Sequence, residues 1–161
     1  MSASLKTGQD HLTPTAQLEE GGLHELLGYR LAQASIVTNG CFQRAAGGPL
    51  GLGQVEFTLL HLINKNTSVT PSRMARALAI SMPAITVWLG KLEQRGLVSR
   101  ERSTTDRRSQ HFGVTEAGRQ LVGDALAALQ AEEAQVLSTL SPAERAMLLE
   151  LLRKVARRRK A

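Results

Sequence analysis

Between Thr70 and Gly96 the chain twice sets a capping hydroxyl beside a proline at the start of an apolar-periodic run, and it closes the second run with a glycine. Thr70 precedes Pro71, and Ser81 precedes Met82-Pro83. An N-cap hydroxyl accepts from the first turn of a helix, and a proline there gives up an N–H that would have no partner within the helix. The first helix must stop near Leu78 because Ser81 opens the next, leaving Ala79-Ile80 as a tight connection. The second runs about fourteen residues to Gly96, a residue suited to the left-handed position after a helix end. Two short capped helices joined in this way have the outline of a helix-turn-helix.

The flanking sequence fits around that pair. Leu23, Leu26, Leu27, Leu31, Ala34, Ile36 and Val37 recur at helical spacing and predict a long amphipathic helix from Leu18 to about Ala46, ended by Gly47-Gly48-Pro49. Val55, Leu59, Leu62 and Ile63 share a stripe on a second helix over Gln54 to Lys65. Beyond Gly96, Leu97 to Arg102 and Ser109 to Val114 alternate as strands do, and the pair predicts a hairpin with a polar, basic tip over Ser103 to Arg108. Another long helix starts after Thr115. Ser141-Pro142-Ala143-Glu144 is a capping box opening a last helix that ends in Arg153-Lys154 and Arg157-Arg158-Arg159-Lys160. Residues 1–17 have no periodicity and are expected to form a disordered or loosely docked arm. With five aromatic residues the core is mostly aliphatic, so the fold class is mainly α with one small β-hairpin (α+β).

The charge is unevenly placed. The chain carries a formal +6, and residues 70–119 hold nine basic against four acidic groups. An excess concentrated on the helix-turn-helix and hairpin favours a polyanionic partner. The apolar stretch Ala77 to Gly90 is far short of a bilayer span and contains Pro83, so no membrane partner is expected. The N-terminus has no apolar leader, and Cys41 is a lone cysteine, which together predict a cytoplasmic protein. His11, His24, His61 and His111 are scattered, no Cys/His cluster has metal-ligand spacing, and no glycine-rich phosphate loop occurs. No enzyme activity, metal or cofactor is expected.

Four fragments now stand in order: Ser81-x-Pro83-x-x-Thr86, Leu92-Glu93-x-x-Gly96-Leu97-Val98-x-Arg100, Asp106-Arg107-Arg108, and Val114-Thr115-Glu116-Ala117-Gly118-Arg119. Together the chain resembles the MarR family of bacterial winged-helix regulators. The resemblance implies an intertwined homodimer with two winged helix-turn-helix lobes on double-stranded DNA. It implies a division into the arm at 1–17, a helical dimerisation region at 18–52 and 120–161, and a DNA-binding lobe at 53–119. The apolar stripes from Leu23 to Val37 and over Leu148, Leu149, Leu151 and Leu152 fit a dimer interface.

A helix lying in the major groove offers its N-terminal residues to base edges. Ser81, Met82, Ala84, Thr86, Val87 and Lys91 are the outward candidates, with Met82 and Val87 suited to thymine methyl groups, Thr86 to a base hydrogen bond and Lys91 to a phosphate. Val87 departs from the basic or polar residue that many similar proteins carry there, so specificity is expected to lean on the wing and on duplex shape. Ile85, Trp88, Leu89 and Leu92 are expected to form the buried face. Thr70, Ser72, Arg73 and Arg76 suit backbone contacts. At the wing, Arg107 or Arg108 can enter a narrow minor groove with Asp106 holding the guanidinium, and the family pattern favours Arg108. The resemblance also implies a small phenolic or carboxylated effector that releases DNA. Arg30, the only cation between Lys6 and Arg44, and His61 are the candidate ligand contacts. Two other readings are a non-specific architectural DNA-binding or protein-interaction module, and a thiol redox sensor using Cys41, for which buried packing is the expected alternative.

Overall fold

The computed structural model describes residues 11–67, 69–102 and 110–159. By packing, the chain divides after Gly40 into two units.

In the first unit, Leu12 and Glu19 form an antiparallel bridge around a turn in which Ala16 and Gln17 both take left-handed backbone angles. A 3-10 turn over Gly21–Glu25 follows, and α1 begins at Leu27 (Leu27–Phe42). The helix expected from Leu18 therefore starts nine residues late. Its first residues pair with Leu12 instead, and Gly21, at φ +54°, breaks the path. Glu20 is 3 % exposed; its carboxylate accepts from the Tyr29 hydroxyl at 2.9 Å and faces the Arg30 guanidinium at 3.1 Å. Removal of solvent from the phenol, and then its bond to Glu20, raise the Tyr29 pKa above the ordinary tyrosine value.

The second unit holds the helix-turn-helix. The Gly47-Gly48-Pro49 cluster does not stop the first helix. The chain passes through a π-helical turn, Gln43–Gly47, into a short α2 (Gly48–Leu50), and stops at Gly51, whose φ of +58° only glycine takes freely. Pro49 is tolerated because it stands in the first turn of α2, where its absent N–H is not needed. Helix α3 (Gln54–Lys65) matches the expected span. In α4 (Pro71–Leu78) the Thr70 hydroxyl accepts from the Arg73 N–H at 3.3 Å, as a cap should. Ser81 stands at the N-cap of α5 (Met82–Gln94) but makes no capping bond. Pro83 has removed one of the two N–H groups such a hydroxyl would take. The far end of α5 closes as expected: Gly96, at φ +68°, donates to Glu93, and Leu97 donates to Leu92.

Strands β1 (Val98–Arg102) and β2 (Gln110–Val114) pair antiparallel, Val98 opposite Val114. Val69 adds one rung at the edge, its carbonyl accepting from the Phe112 N–H at 3.1 Å. Helix α6 (Glu116–Val136) is capped by Thr115, and α7 (Pro142–Ala156) by the Ser141–Glu144 box. The core gathers Leu59, Leu60 and Ile63 of α3, Met74 of α4, Ile85, Leu89 and Leu92 of α5, and Val98, Phe112 and Val122. A smaller cluster of Phe42, Ala46, Leu52 and Ala125 joins α6 to the segment after α1. Among the described residues the molecule is thus mainly helical with one two-stranded sheet, as expected.

Candidate nucleic-acid interface

Burial along α5 divides the helix into two faces. Ile85, Leu89 and Leu92 are buried, while Met82 is 45 % and Val87 58 % exposed. Ser81, Thr86 and Lys91 are exposed too, and Ala84 is half-buried. The expected inner face holds with one change. Trp88 is only half-buried, and the Lys91 ammonium sits over its ring, 4.3 Å from the centroid. The Thr86 hydroxyl donates to the Met82 carbonyl at 3.0 Å and keeps its lone pairs toward solvent.

The connection between α4 and α5 is tight because Ala79 takes a left-handed conformation, φ +53°, and Ile80 donates back to Ala75. That bond anchors the turn to the core. At the start of α4, the Thr70 and Ser72 hydroxyls lie 3.1 Å apart. Arg73 and Arg76 are exposed on the same helix, while Met74 and Ala75 between them are buried.

The basic residues of this region whose side chains are described fall into two sets. Arg100 pairs with Glu93 at 2.9 Å, Arg119 with Glu116 at 2.7 Å, and Arg95 with Glu56 at 3.5 Å. Arg73, Arg76 and Lys91 form no ion pair among the described residues. A cation left without a carboxylate on a folded surface is the one able to neutralise a phosphate at no cost to an existing pair. Arg95 and Glu56 were not among the sequence candidates. No local signal distinguishes a C-terminal arginine turned inward from one turned outward, and the partner lies far away in the sequence. The wing candidates Asp106, Arg107 and Arg108 lie outside the described residues.

The ligand candidates sit in separate units. Arg30 is engaged by Glu20, as described above. His61 is half-buried on α3, its Nδ1 buried without a hydrogen-bond partner and its ring 6.0 Å from Phe57. Cys41 is 1 % exposed, with an Arg44 nitrogen 3.7 Å from its sulfur. Burial withholds the thiol from the access that an oxidant sensor needs. Among the described residues no group of three or more His, Cys, Asp or Glu is placed to hold a metal ion, and no helix is long and apolar enough to cross a membrane.

The sequence profile of the MarR family matches residues 52–110, a span that covers α3, α4, α5 and β1. The structure of a transcriptional repressor, CouR, bound to a 23-mer DNA duplex is similar with a TM-score of 0.80 and 32 % identity, over 88 % of this chain and 99 % of that one. A Mycobacterium tuberculosis MarR family protein in complex with salicylic acid is 30 % identical with a TM-score of 0.65, over 81 % of this chain and 96 % of its own. A Thauera aromatica protein described as a candidate transcriptional regulatory protein for the hcr operon is 28 % identical over 142 residues, which is 88 % of this chain and 86 % of that protein.

Proposed function

Because this chain belongs to the MarR family of transcriptional regulators, which are not enzymes, we propose that it is a homodimeric repressor that binds a pseudo-palindromic operator and is released by a small aromatic or carboxylated effector. The observation that carries the reading is the sorting of charge: among the described residues Arg95, Arg100 and Arg119 are tied to carboxylates, whereas Arg73, Arg76 and Lys91, on the two helices of the motif, are not. In this reading α5 lies in the major groove with Met82 and Val87 against thymine methyl groups, and Ser81, Ala84 and Thr86 beside them. Thr70, Ser72, Arg73, Arg76 and Lys91 meet phosphates, and Arg108, supported by Asp106 and beside Arg107, enters the minor groove.

The dimerisation region, 18–52 and 120–161, is supported by what its helices leave uncovered. None of the fifteen residues of α7 is buried, and Met147, Leu148, Leu149, Leu151 and Val155 are each at least 41 % exposed. Leu27, Leu31, Ile36 and Val37 of α1 are exposed as well. Apolar stripes of this extent call for a second chain. For the effector, His61 is the better supported contact, since its unpartnered Nδ1 suits a phenol or carboxyl group. An anion at Arg30 has to compete with Glu20. The salicylic acid complex of the mycobacterial relative supports the effector class. The protein is proposed to work in the cytoplasm, without a cofactor.

The test is selection of the purified full-length protein on a random duplex library, with sequencing of the bound pool. The expected result is an inverted repeat with half-sites about one helical turn apart. Retention without an enriched motif would favour the architectural reading, and no retention would sink the assignment.

A further inference from the structure

One arginine of the basic region is engaged by the protein itself. Arg95 is the C-cap of α5, directly after Gln94, and its guanidinium donates to the carbonyl of Gly51 at 2.9 Å and of Leu50 at 3.3 Å. The same group faces the Glu56 carboxylate at 3.5 Å. Glu56 is 8 % exposed and in turn accepts from the Gly53 N–H at 2.8 Å. The two carbonyls are those left unpaired where α2 ends at the left-handed Gly51, so a cation is favoured there by the helix terminus as well as by Glu56. A planar fork of donors can serve two carbonyls and a carboxylate together; a lysine ammonium, a point charge on a single stem, cannot.

We propose that Arg95 is the positioning residue of the reading helix: it fastens the C-terminal end of α5 to the strap over residues 50–53, so that the seating of α5 on DNA follows the position of that strap. The proposal rests on α5 being the DNA-reading helix, as argued above. The buried face of α5 holds the helix against the core by Ile85, Leu89 and Leu92, but these apolar contacts permit small rotations that directed hydrogen bonds do not. The strap follows the π-helical turn Gln43–Gly47, whose Ala46 is buried with Ala125 of α6. The strap therefore touches α6 through Leu52 and Ala125 on one side and the end of α5 on the other, and Arg95 is the polar tie from the strap to α5. A ligand that shifts the strap changes operator affinity through this arginine without touching α5.

The experiment measures the affinity of full-length protein for its selected operator duplex at several salt concentrations, with the active fraction titrated for each variant. Arg95→Gln is expected to weaken binding about tenfold while leaving the slope of log affinity against log salt unchanged, because Arg95 meets no phosphate. Lys91→Ala is the contrast and is expected to reduce that slope by about one phosphate. Arg95→Lys is expected to recover only part of the loss. Gly51→Ala, which strains the strap, is expected to weaken binding in the wild-type background and to add little in the Arg95→Gln background. Full affinity in Arg95→Gln, a slope reduced as for Lys91→Ala, or additive effects of Gly51→Ala and Arg95→Gln would each overturn the proposal. Failure of the wild-type protein to bind any duplex would instead remove the reading on which it rests.

Discussion

A single missing methyl group decides how α6 meets the sheet. A Cβ built on Gly118 would stand 2.1 Å from the Leu97 carbonyl oxygen and 2.8 Å from Val114, so only glycine lets the first turn of α6 pass the root of the hairpin. Gly118→Ala is expected to destabilise the protein by about 1–3 kcal/mol, because a backbone atom must give way. Gly123, on the same helix with nothing within 4 Å of an added Cβ, serves as the control. There alanine is expected to stabilise by roughly 0.5–1 kcal/mol, the usual difference between the two residues in a helix. Chemical denaturation of both variants checks the opposite signs. Gly118 stood in the sequence as part of Val114-Thr115-Glu116-Ala117-Gly118-Arg119, but the need for it was not legible, since Leu97 approaches only after the hairpin has formed.

Whole elements were legible where their punctuation is local. The Thr70 cap, the Ser141–Glu144 box and the Gly96 stop each act within one turn, and α4, α5 and α7 appear where those signals put them, as α3 does where its apolar stripe puts it. The first helix departs from its sequence pattern at both ends because its limits depend on distant or unusual geometry: a bridge from Leu12 to Glu19 takes its early residues, and a π-helical turn carries it past Gly47. The rung at Val69 was missed because one residue has no periodicity. The outer face of α5 was legible from helical spacing alone, whereas the inward turn of Arg95 was not. The box at α7 also carries a pH dependence. Hydrogen bonds from the Ser141 hydroxyl, and then from its backbone N–H, hold the Glu144 carboxyl below its ordinary pKa. A carboxyl lowered on folding stabilises the folded state above its unfolded pKa, near 4.3, and that stabilisation is lost as pH falls toward the folded value. Wild type is therefore expected to melt higher than Glu144→Ala above about pH 5, with the gap narrowing as the pH falls below about 4. A gap that is constant with pH would contradict this account of the cap.

For the whole molecule, the uncovered apolar face of α7 is the surface on which the proposed dimer depends. Leu148 is 41 % and Leu151 49 % exposed in the single chain. Replacing both by glutamate is expected to convert the proposed dimer into monomers, read by light scattering across a dilution series, and to lower operator affinity far more than any one phosphate contact does, because the two lobes are no longer held together. A double variant that stays dimeric and binds normally would place the interface elsewhere. The chain reaches α7 from the hairpin through α6, whose 21 residues make a rod of about 31 Å. A rod of that length is a lever. A tilt of roughly five degrees at its upper end carries the lower end about 3 Å, close to one base step along a duplex. In the proposed dimer the permitted distance between half-sites is accordingly gauged by the angle of this rod.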